Sequence, residues 1–599
     1  MTTLQQVDLT TLILTCAEIH PQWIPARVEQ VYQRDRYTIY LGLRTLKGRG
    51  WLLISWHPQA ARLCMGAPPP KIPDTFTFSE QLRHQLNGLA LVAINQAAPW
   101  ERVLDLQFAR RPQEPALWHL YVEIVGKYSN TILTDSENMI VTPAHQVSSQ
   151  QSSVRPIQTG EPYLLPPSLT DTIPTLEEAQ PRWQSRIGLI PGKLNQRLLK
   201  TYRGLSSALV NQMIQAANLE PEQLTESLTP EQWDNLFSQW QNWLQVLSYS
   251  TQFLRSPTES SKVSSPQPGF TRSGYSAMGW QIIEPVKTLS ELLDRYYWKQ
   301  LAQQEFAQLK HQLQQKITNW RKKVGHKAQT FQSRLEQSDN ADRYKHHADL
   351  LMANLHQWES GTQAIALPDF ETGEIINIAL QPEKNAVQNA QHLYRQHQKL
   401  KRARKAVEPL LAEVNEEIGY LDRVLVSLEQ IETYQDTGDL QTLQEIREEL
   451  IAQKYLETSE PKASKTTITS EPYQYETPSG FQLLVGRNNR QNDRLTFRTA
   501  GDYDLWFHSQ QIAGSHVLLR LPPGAVAEEV DLQFAANMAA YYSQARHSEQ
   551  VPVAYTQPKY VFKPKGAAPG MAIYQKEQVI WGYPQKVVEK LLSDLGVQT

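Results

Sequence analysis

Between Gly486 and Arg520 the sequence concentrates side chains of the kinds that grip phosphate and face bases. A polar run carries Arg487, Asn488, Asn489, Arg490, Asn492 and Asp493, followed by Arg494 and Arg498. Trp506, His508, Ser515 and His516 come next, and Lys563 and Lys565 stand just before a Gly566 to Gly570 turn. Guanidinium and amide groups position a phosphate backbone, and an aromatic ring offers a face on which a base stacks. The same residues also have an ordinary structural reading. Asn-Asn and Gly-Ser are turn formers, Trp506 serves equally well as core, and His508 and His516 can be hydrogen-bonded inside strands. Residue chemistry alone leaves both readings open.

Catalytic patterns are missing. No GxxxxGK[ST] occurs, and Gly188-Leu189-Ile190-Pro191-Gly192-Lys193 is too short to replace one. HExxH and GxSxG are likewise absent, and His508 and His516 have no carboxylate or thiol at familiar ligand spacing. No catalytic residue, cofactor or metal site is expected, which points to a binding protein.

With 599 residues, 40% hydrophobic and 9% aromatic, the protein is long enough to bury several cores and reads as multidomain and globular. A formal charge of −2 announces no polyanion partner, so any basic surface must be local. Cys16 and Cys64 lie in apolar surroundings without CxxC spacing, which suits buried thiols in a reducing compartment. No stretch approaches the roughly 18 apolar residues of a membrane span, and the N-terminus lacks the early positive charge of a signal peptide. A cytoplasmic protein without membrane contact is expected.

The elements that must position these groups follow from periodicity. Residues 1–172 mix a helical start, Leu4 to Cys16, with strand patterns at 27–43, 50–55, 103–108, 117–125 and 131–133, which predicts an α+β domain with an antiparallel sheet. Residues 173–252 read as short helices, and 253–285, rich in Ser and Pro, as a flexible linker. From 286 to 456 two heptad-like series appear. Phe306, Leu313, Ile317 and Val324 belong to one, and Val407, Val414, Leu421 and Leu428 to the other. They predict a long antiparallel coiled-coil hairpin with a small tip domain at about 340–385. A linker at 457–472 precedes a C-terminal α+β domain, 473–599, whose Ala-rich helix 532–542 should pack on a sheet.

Arg321, Lys322, Lys323 and Lys327 lie on the outgoing helix, and Lys399, Lys401, Arg402, Arg404 and Lys405 on the returning one. Folding about a tip centred near residue 362 would set the clusters level, at a cost of roughly a few tenths of a kcal/mol per close like-charged pair. A polyanion partner would account for such a collar. A solvated charged face is the plainer reading.

Five ordered blocks, GRNNRQND, DLWFH, GSHVLLR, FAANMAAYYSQAR and KPKGAAPG, resemble the RNA-binding NFACT-R domain of the ribosome quality-control NFACT family, which includes bacterial RqcH and eukaryotic NEMF and was formerly described as FbpA-like fibronectin-binding proteins. Phe76 to Gly88, Ile94-Asn95-Gln96 and Tyr121 to Leu133 resemble its NFACT-N domain. The resemblance implies a DNA-glycosylase-like fold for 1–172, a helix-hairpin-helix-like domain for 173–252, the coiled-coil middle domain and NFACT-R. The glycosylases' N-terminal proline has no counterpart in Met1-Thr2-Thr3, so their chemistry is not expected.

The resemblance further implies an adaptor that binds the large (50S) ribosomal subunit, rRNA and proteins, still holding peptidyl-tRNA. Such an adaptor recruits tRNA, with alanyl-tRNA expected, for C-terminal alanine tailing; peptide-bond formation is left to the ribosome, and RqcP is a further partner of such proteins. At the family's Asp-Arg pair, needed for tailing, this sequence has Glu101-Arg102. Arg83 and Lys127 are further tRNA candidates, each with a surface salt bridge as its plainer role. A ribosome-binding and tRNA-binding scaffold without tailing is the alternative, and a fibronectin-binding adhesin a more distant one.

Overall fold

The computed structural model describes the protein except for residues 1–3, 70–72, 153, 168–170, 256–265, 360, 458–468 and 589–599. It forms two compact units, Met1–Leu301 and Ala302–Thr599.

In the first unit α1 (Leu9–Trp23) opens with Asp8 as N-cap, its carboxylate accepting the Thr11 amide at 2.8 Å. Strands β1 (Ala26–Asp35), β2 (Thr38–Thr45), β3 (Gly48–Ser55) and β4 (Arg62–Gly66) precede α2 (Thr77–Leu86). After it come β5 (Ala90–Gln96), β6 (Val103–Ala109), β7 (Trp118–Glu123), β8 (Asn130–Asp135) and β9 (Ile140–Pro143). They make one nine-stranded antiparallel sheet in the order β4-β3-β2-β1-β5-β6-β7-β8-β9, so only the β1–β5 step departs from a meander. The expected α+β domain is therefore present. β4, β5 and β9 extend it beyond the strands read from periodicity.

Helices α3 (Gln180–Gly188), α4 (Leu194–Thr201), α5 (Ser207–Ala216) and α6 (Pro230–Arg255) follow. Their indoles gather into a cluster of Trp183, Trp240 and Trp243, all fully buried. Trp243 Nε1 donates to Thr10 Oγ1 at 2.9 Å, which ties α6 to α1.

The linker expected over 253–285 is corrected wherever it is described. Residues 256–265 lie outside the described residues, but β10 (Gly269–Phe270), β11 (Tyr275–Ser276) and β12 (Glu284–Pro285) form a small sheet. Tyr275 is fully buried, and its backbone exchanges two 3.0 Å hydrogen bonds with the Gln5 side chain. The Ser/Pro composition masked aromatic anchors whose partners sit some 270 residues earlier.

In the second unit, the part of α7 (Leu289–Asp339) from Ala302 onward supplies the outgoing arm, α8 (Ala341–Ala353) continues it, and β13 (Ala364–Pro368) with β14 (Ile375–Ala379) form the tip. The returning arm is α9 (Ala386–Gln430), opened by an Asn385/Gln388 capping box. α10 (Thr437–Ala452) then folds back. Phe306, Leu313, Ile317 and Val324 share one core with Val414, Leu421, Val424 and Leu428. The antiparallel helical hairpin is present as expected, while α8 gives residues 341–353, expected in the tip, to the outgoing arm.

The level collar is not present. Arg321 pairs with Asp422 at 3.0 Å, Lys310 Nζ reaches the Ile431 carbonyl at 2.6 Å, and Arg404 pairs with Asp339 at 2.9 Å. Ala364↔Ala379 to Pro368↔Ile375 continue the same register, so the reversal lies between Pro368 and Ile375 rather than near 362. Arg321, Lys322, Lys323 and Lys327 therefore lie level with acidic stretches of α9, and Lys399 to Lys405 with the α7–α8 junction. The clusters are displaced along the axis by roughly 30 Å at ~1.5 Å per residue. The level placement fails because the outgoing arm runs on as helix through α8 to Ala353, which moves the reversal past the midpoint of 340–385.

The C-terminal domain contains β15 (Tyr473–Glu476), β16 (Gln482–Val485), α11 (Asn489–Arg494), β17 (Leu505–Ser509), β18 (Val517–Leu519), α12 (Glu529–Tyr541), β19 (Val551–Thr556), β20 (Val561–Phe562), β21 (Ile573–Tyr574) and β22 (Gln578–Gly582). Six strands form an antiparallel sheet in the order β15-β16-β18-β17-β19-β22. Ala535, Ala536, Ala539 and Ala540 of α12 are completely buried against one face, as the small-residue pattern required. Phe507 points into that core, so by strand alternation Trp506 and His508 occupy the opposite face.

Candidate nucleic-acid interface

The polar run begins where β16 ends. Gly486 has no space for a Cβ because the Asn492 side chain lies against it. Asn488 caps α11 by accepting the Gln491 amide at 2.9 Å, and the Asn492 Oδ1 accepts the His516 amide at 3.1 Å. The side chains that remain are taken up by α10. Arg487 forms a buried ion pair with Asp439, Asn488 Nδ2 donates to Glu445 at 2.6 Å, Asn489 Nδ2 to Glu449 at 3.0 Å, and Arg490 pairs with Glu448 at 3.1 Å.

This corrects the expectation of an open RNA-gripping loop. Arg487, Asn488, Asn489, Asn492, Trp506, Ser515 and His516 are buried, and Arg487, Asn488, Asn489 and Asn492 are not open to grip RNA. The acidic helix supplies, as carboxylates, the anionic oxygens that a phosphate backbone would otherwise supply. Ser515 Oγ donates to the Gly486 carbonyl at 2.6 Å, which locks the loop from its other side. Asp493 pairs with Lys563 and also accepts the Gly570 amide at 3.1 Å, fastening the Gly566–Gly570 turn. Lys565 is exposed.

Burial sets the protonation states. Glu449 is raised above the usual carboxylate range by desolvation, with the Asn489 and Tyr420 hydrogen bonds opposing it. His508 is lowered from 6.5 to about 4 by burial and by the Arg423 charge. His516 is lowered well below 6.5 by burial and by His508. Both imidazoles are neutral near pH 7. Thr496 Oγ1 accepts from Trp506 Nε1 at 3.1 Å and lies 2.6 Å from His516 Nδ1, so the hydroxyl links the two rings.

In the first unit Glu101 and Arg102 follow the Ala97–Trp100 turn. Trp100 adopts a left-handed φ of 63° and packs on Gly204, itself at φ 79°, where a Cβ would collide with the indole. The Glu101 carboxylate forms an ion pair with Arg203, next to that glycine. Arg102 reaches only the Val7 carbonyl, at 3.4 Å, and keeps most of its donors available. Arg83 is held by Asp74 at 2.9 Å while remaining about half exposed, and Lys127 is exposed beside the Tyr128 ring.

Residues 8–468 match the description of NFACT N-terminal and middle domains, and residues 471–573 that of the NFACT protein RNA binding domain. The protein belongs to the NFACT family. It is 29% identical over 575 residues to the Rqc2 homolog RqcH of Bacillus subtilis (strain 168), covering 95% of this sequence and 96% of that one. To the Rqc2 homolog RqcH of Streptococcus suis (strain 05ZYH33) it is 30% identical over 579 residues, covering 94% and 95%. Among solved structures, the C-terminal part of the fibronectin/fibrinogen-binding protein from Streptococcus suis aligns over 48% of this sequence and 98% of its own, at 29% identity and TM-score 0.36.

In this NFACT protein the other cations singled out from the sequence lie on the hairpin. Lys322, Lys323 and Lys327 are exposed on α7, with Lys323 over the Trp320 ring and Lys327 over Phe331. Lys399, Lys401, Arg402 and Lys405 are exposed on α9, whereas Arg404 is tied to Asp339 and Glu408. Reading by residue type missed Asp439, Glu445, Glu448 and Glu449 as partners of the NFACT-R loop, and Arg203 as the partner of Glu101. The charge complementarity of the Glu448-Glu449 pair with the Arg487–Arg490 run was the available signal. Among the described residues no helix is long and apolar enough to cross a membrane.

Proposed function

We propose that this NFACT protein is a ribosome quality-control adaptor. It binds the large ribosomal subunit that still carries peptidyl-tRNA and recruits a tRNA, alanyl-tRNA by preference, so that the ribosome extends the stalled polypeptide with an alanine tail that marks it for degradation. Similarity to proteins named Rqc2 homolog RqcH over about the whole length carries this reading. The exposed cations of α7 and α9 offer two separate phosphate-binding patches for rRNA. Arg102, with donors to spare, is the group placed to contact tRNA.

A specific observation favours a second reading, a scaffold that binds subunits without tailing: the Glu101 carboxylate is engaged by Arg203 rather than left beside Arg102. One experiment separates the two. Tagged protein is purified from growing cells, its RNA sequenced, and the C-termini of nascent polypeptides analysed by mass spectrometry, with Arg102→Ala alongside. Large-subunit RNA with one enriched tRNA and alanine extensions, both tRNA and extensions lost in the variant, supports tailing. Subunit RNA without tRNA or extensions leaves the scaffold, and absence of ribosomal RNA refutes both.

A further inference from the structure

Within the second unit, a cleft of about 350 Å³ opens between α9 and the face of the C-terminal sheet opposite α12. Trp506, His508, His516 and Tyr574 wall it, and Arg423 of α9 lines it. The rings pack into one aromatic cluster, in which Trp506 and His516 are buried and Tyr574 and His508 are partly exposed. Trp506 stacks on His508 at 5.7 Å and meets Tyr574 at 5.4 Å and 45°. Gln511 and Gln544, both exposed, stand at its mouth.

Two polar atoms in this cleft are sealed from water without a hydrogen-bond partner, Arg423 Nε and His508 Nε2. Roughly nine in ten buried polar atoms are paired in native proteins, so an unpaired couple facing one cleft calls for an explanation. The carboxylates that act on the Arg423 charge are each engaged elsewhere. Asp422 pairs with Arg321, Asp493 with Lys563, and Glu449 accepts from Asn489 and Tyr420. The site thus offers a partly desolvated guanidinium, flat aromatic walls and a neutral imidazole edge.

We propose that this cleft receives one unstacked nucleotide of single-stranded RNA, with its phosphate on Arg423, its base against Tyr574, and its polar base edge toward the His508 imidazole and the glutamine amides. A free phosphate would use Arg423 and leave the aromatic walls without a role; an acidic peptide would do the same. A nucleotide uses both, in the manner of single-strand readers that combine a cation with a stacking ring. The inference rests on the RNA-binding reading of this domain and narrows it to one place, on the face opposite α12 rather than in the loop locked by α10.

The test uses the full-length protein. Single-stranded RNA carrying 4-thiouridine is photo-cross-linked and the adduct mapped by mass spectrometry, while binding of nucleoside monophosphates and of inorganic phosphate is measured by calorimetry. Adducts at His508 or Met571–Tyr574, nucleotide binding stronger than phosphate binding, and about a tenfold loss of affinity in both Tyr574→Leu and Arg423→Met are expected. The Arg423→Met variant removes a guanidinium whose Nε has no hydrogen-bond partner, and an unchanged Tm, measured alongside, keeps the reading of its binding defect free of misfolding. Unchanged RNA affinity in both variants with adducts elsewhere would overturn the cleft and leave RNA binding by this domain intact. Nucleotides bound no better than phosphate would overturn base insertion. No RNA binding by the unmodified protein would overturn the broader reading with it.

Discussion

Arg487 and Asp439 form an ion pair in which both side chains are almost fully buried, and it joins the NFACT-R loop to the helix that ends the hairpin. Around it Asn488, Asn489 and Arg490 repeat the same pattern with Glu445, Glu449 and Glu448. The loop with the most RNA-like chemistry in the sequence is thus an internal fastening.

Breaking that fastening on one side should be costly. Asp439→Ala leaves the Arg487 guanidinium buried and unpaired, and about 3–5 kcal/mol of stability should be lost. Replacing both partners by apolar residues, Asp439→Leu with Arg487→Met, should recover most of it. Urea denaturation of the two variants measures the difference, and equal destabilisation by both would contradict a buried pair.

Register along the hairpin predicts a distance. Spin labels at Lys323 and Lys401 should lie roughly 30 Å apart, since residues about 20 positions out of register are separated by that much helix. A pulsed-dipolar distance near the ~10 Å of adjacent helices would restore the level collar.

Reversing exposed cations tests their role without touching the fold. Lys399, Lys401 and Arg402 changed together to Glu should leave thermal stability within about 0.5 kcal/mol, as expected for solvated surface positions. Co-sedimentation with large subunits should fall at least tenfold, and more steeply as salt rises. Unaltered co-sedimentation would assign these residues to a solvated face.

Glu101→Gln should separate architecture from tRNA contact. It removes the charge that Arg203 faces, so about 1–3 kcal/mol should be lost from the first unit's stability. Arg102→Ala breaks only a long hydrogen bond and should cost little. If instead Arg102→Ala destabilises and Glu101→Gln does not, the ion pair is not what ties the turn to the segment around Gly204.

Acid sensitivity follows from His508. Its folded pKa, lowered from 6.5 to about 4, means that the unfolded state binds the extra proton first. Its contribution is present above about pH 6.5 and is lost as pH falls from there toward 4. His516 acts in the same direction, while Glu449, shifted upward, acts in the opposite one. The comparison is therefore between the native protein and His508→Gln, whose stability should fall less between pH 6.5 and 4. Parallel curves would mean that His508 is not buried neutral.

Element identity was legible because it depends on near neighbours. The Val414, Leu421 and Leu428 spacing announced a buried seam, and Ala535, Ala536, Ala539 and Ala540 announced a helix pressed on a sheet. The tyrosine of 253–285 shows where composition misleads. Tyr275 is held by Gln5, a partner that no local window contains.

By itself the sequence determined the long helices and most of the strands of the first sheet, which of their faces are apolar, and, through its ordered motifs, which family the protein belongs to. Only the tertiary structure decided that Arg321 sits level with Asp422 and not with a second basic cluster, that α10 consumes the donors of Arg487 to Arg490, and that Glu101 belongs to Arg203. The physical reason is range. Periodicity and capping act over a few residues, whereas a charge is satisfied by whatever opposite charge folding brings within hydrogen-bond distance, however far away in the sequence that charge lies.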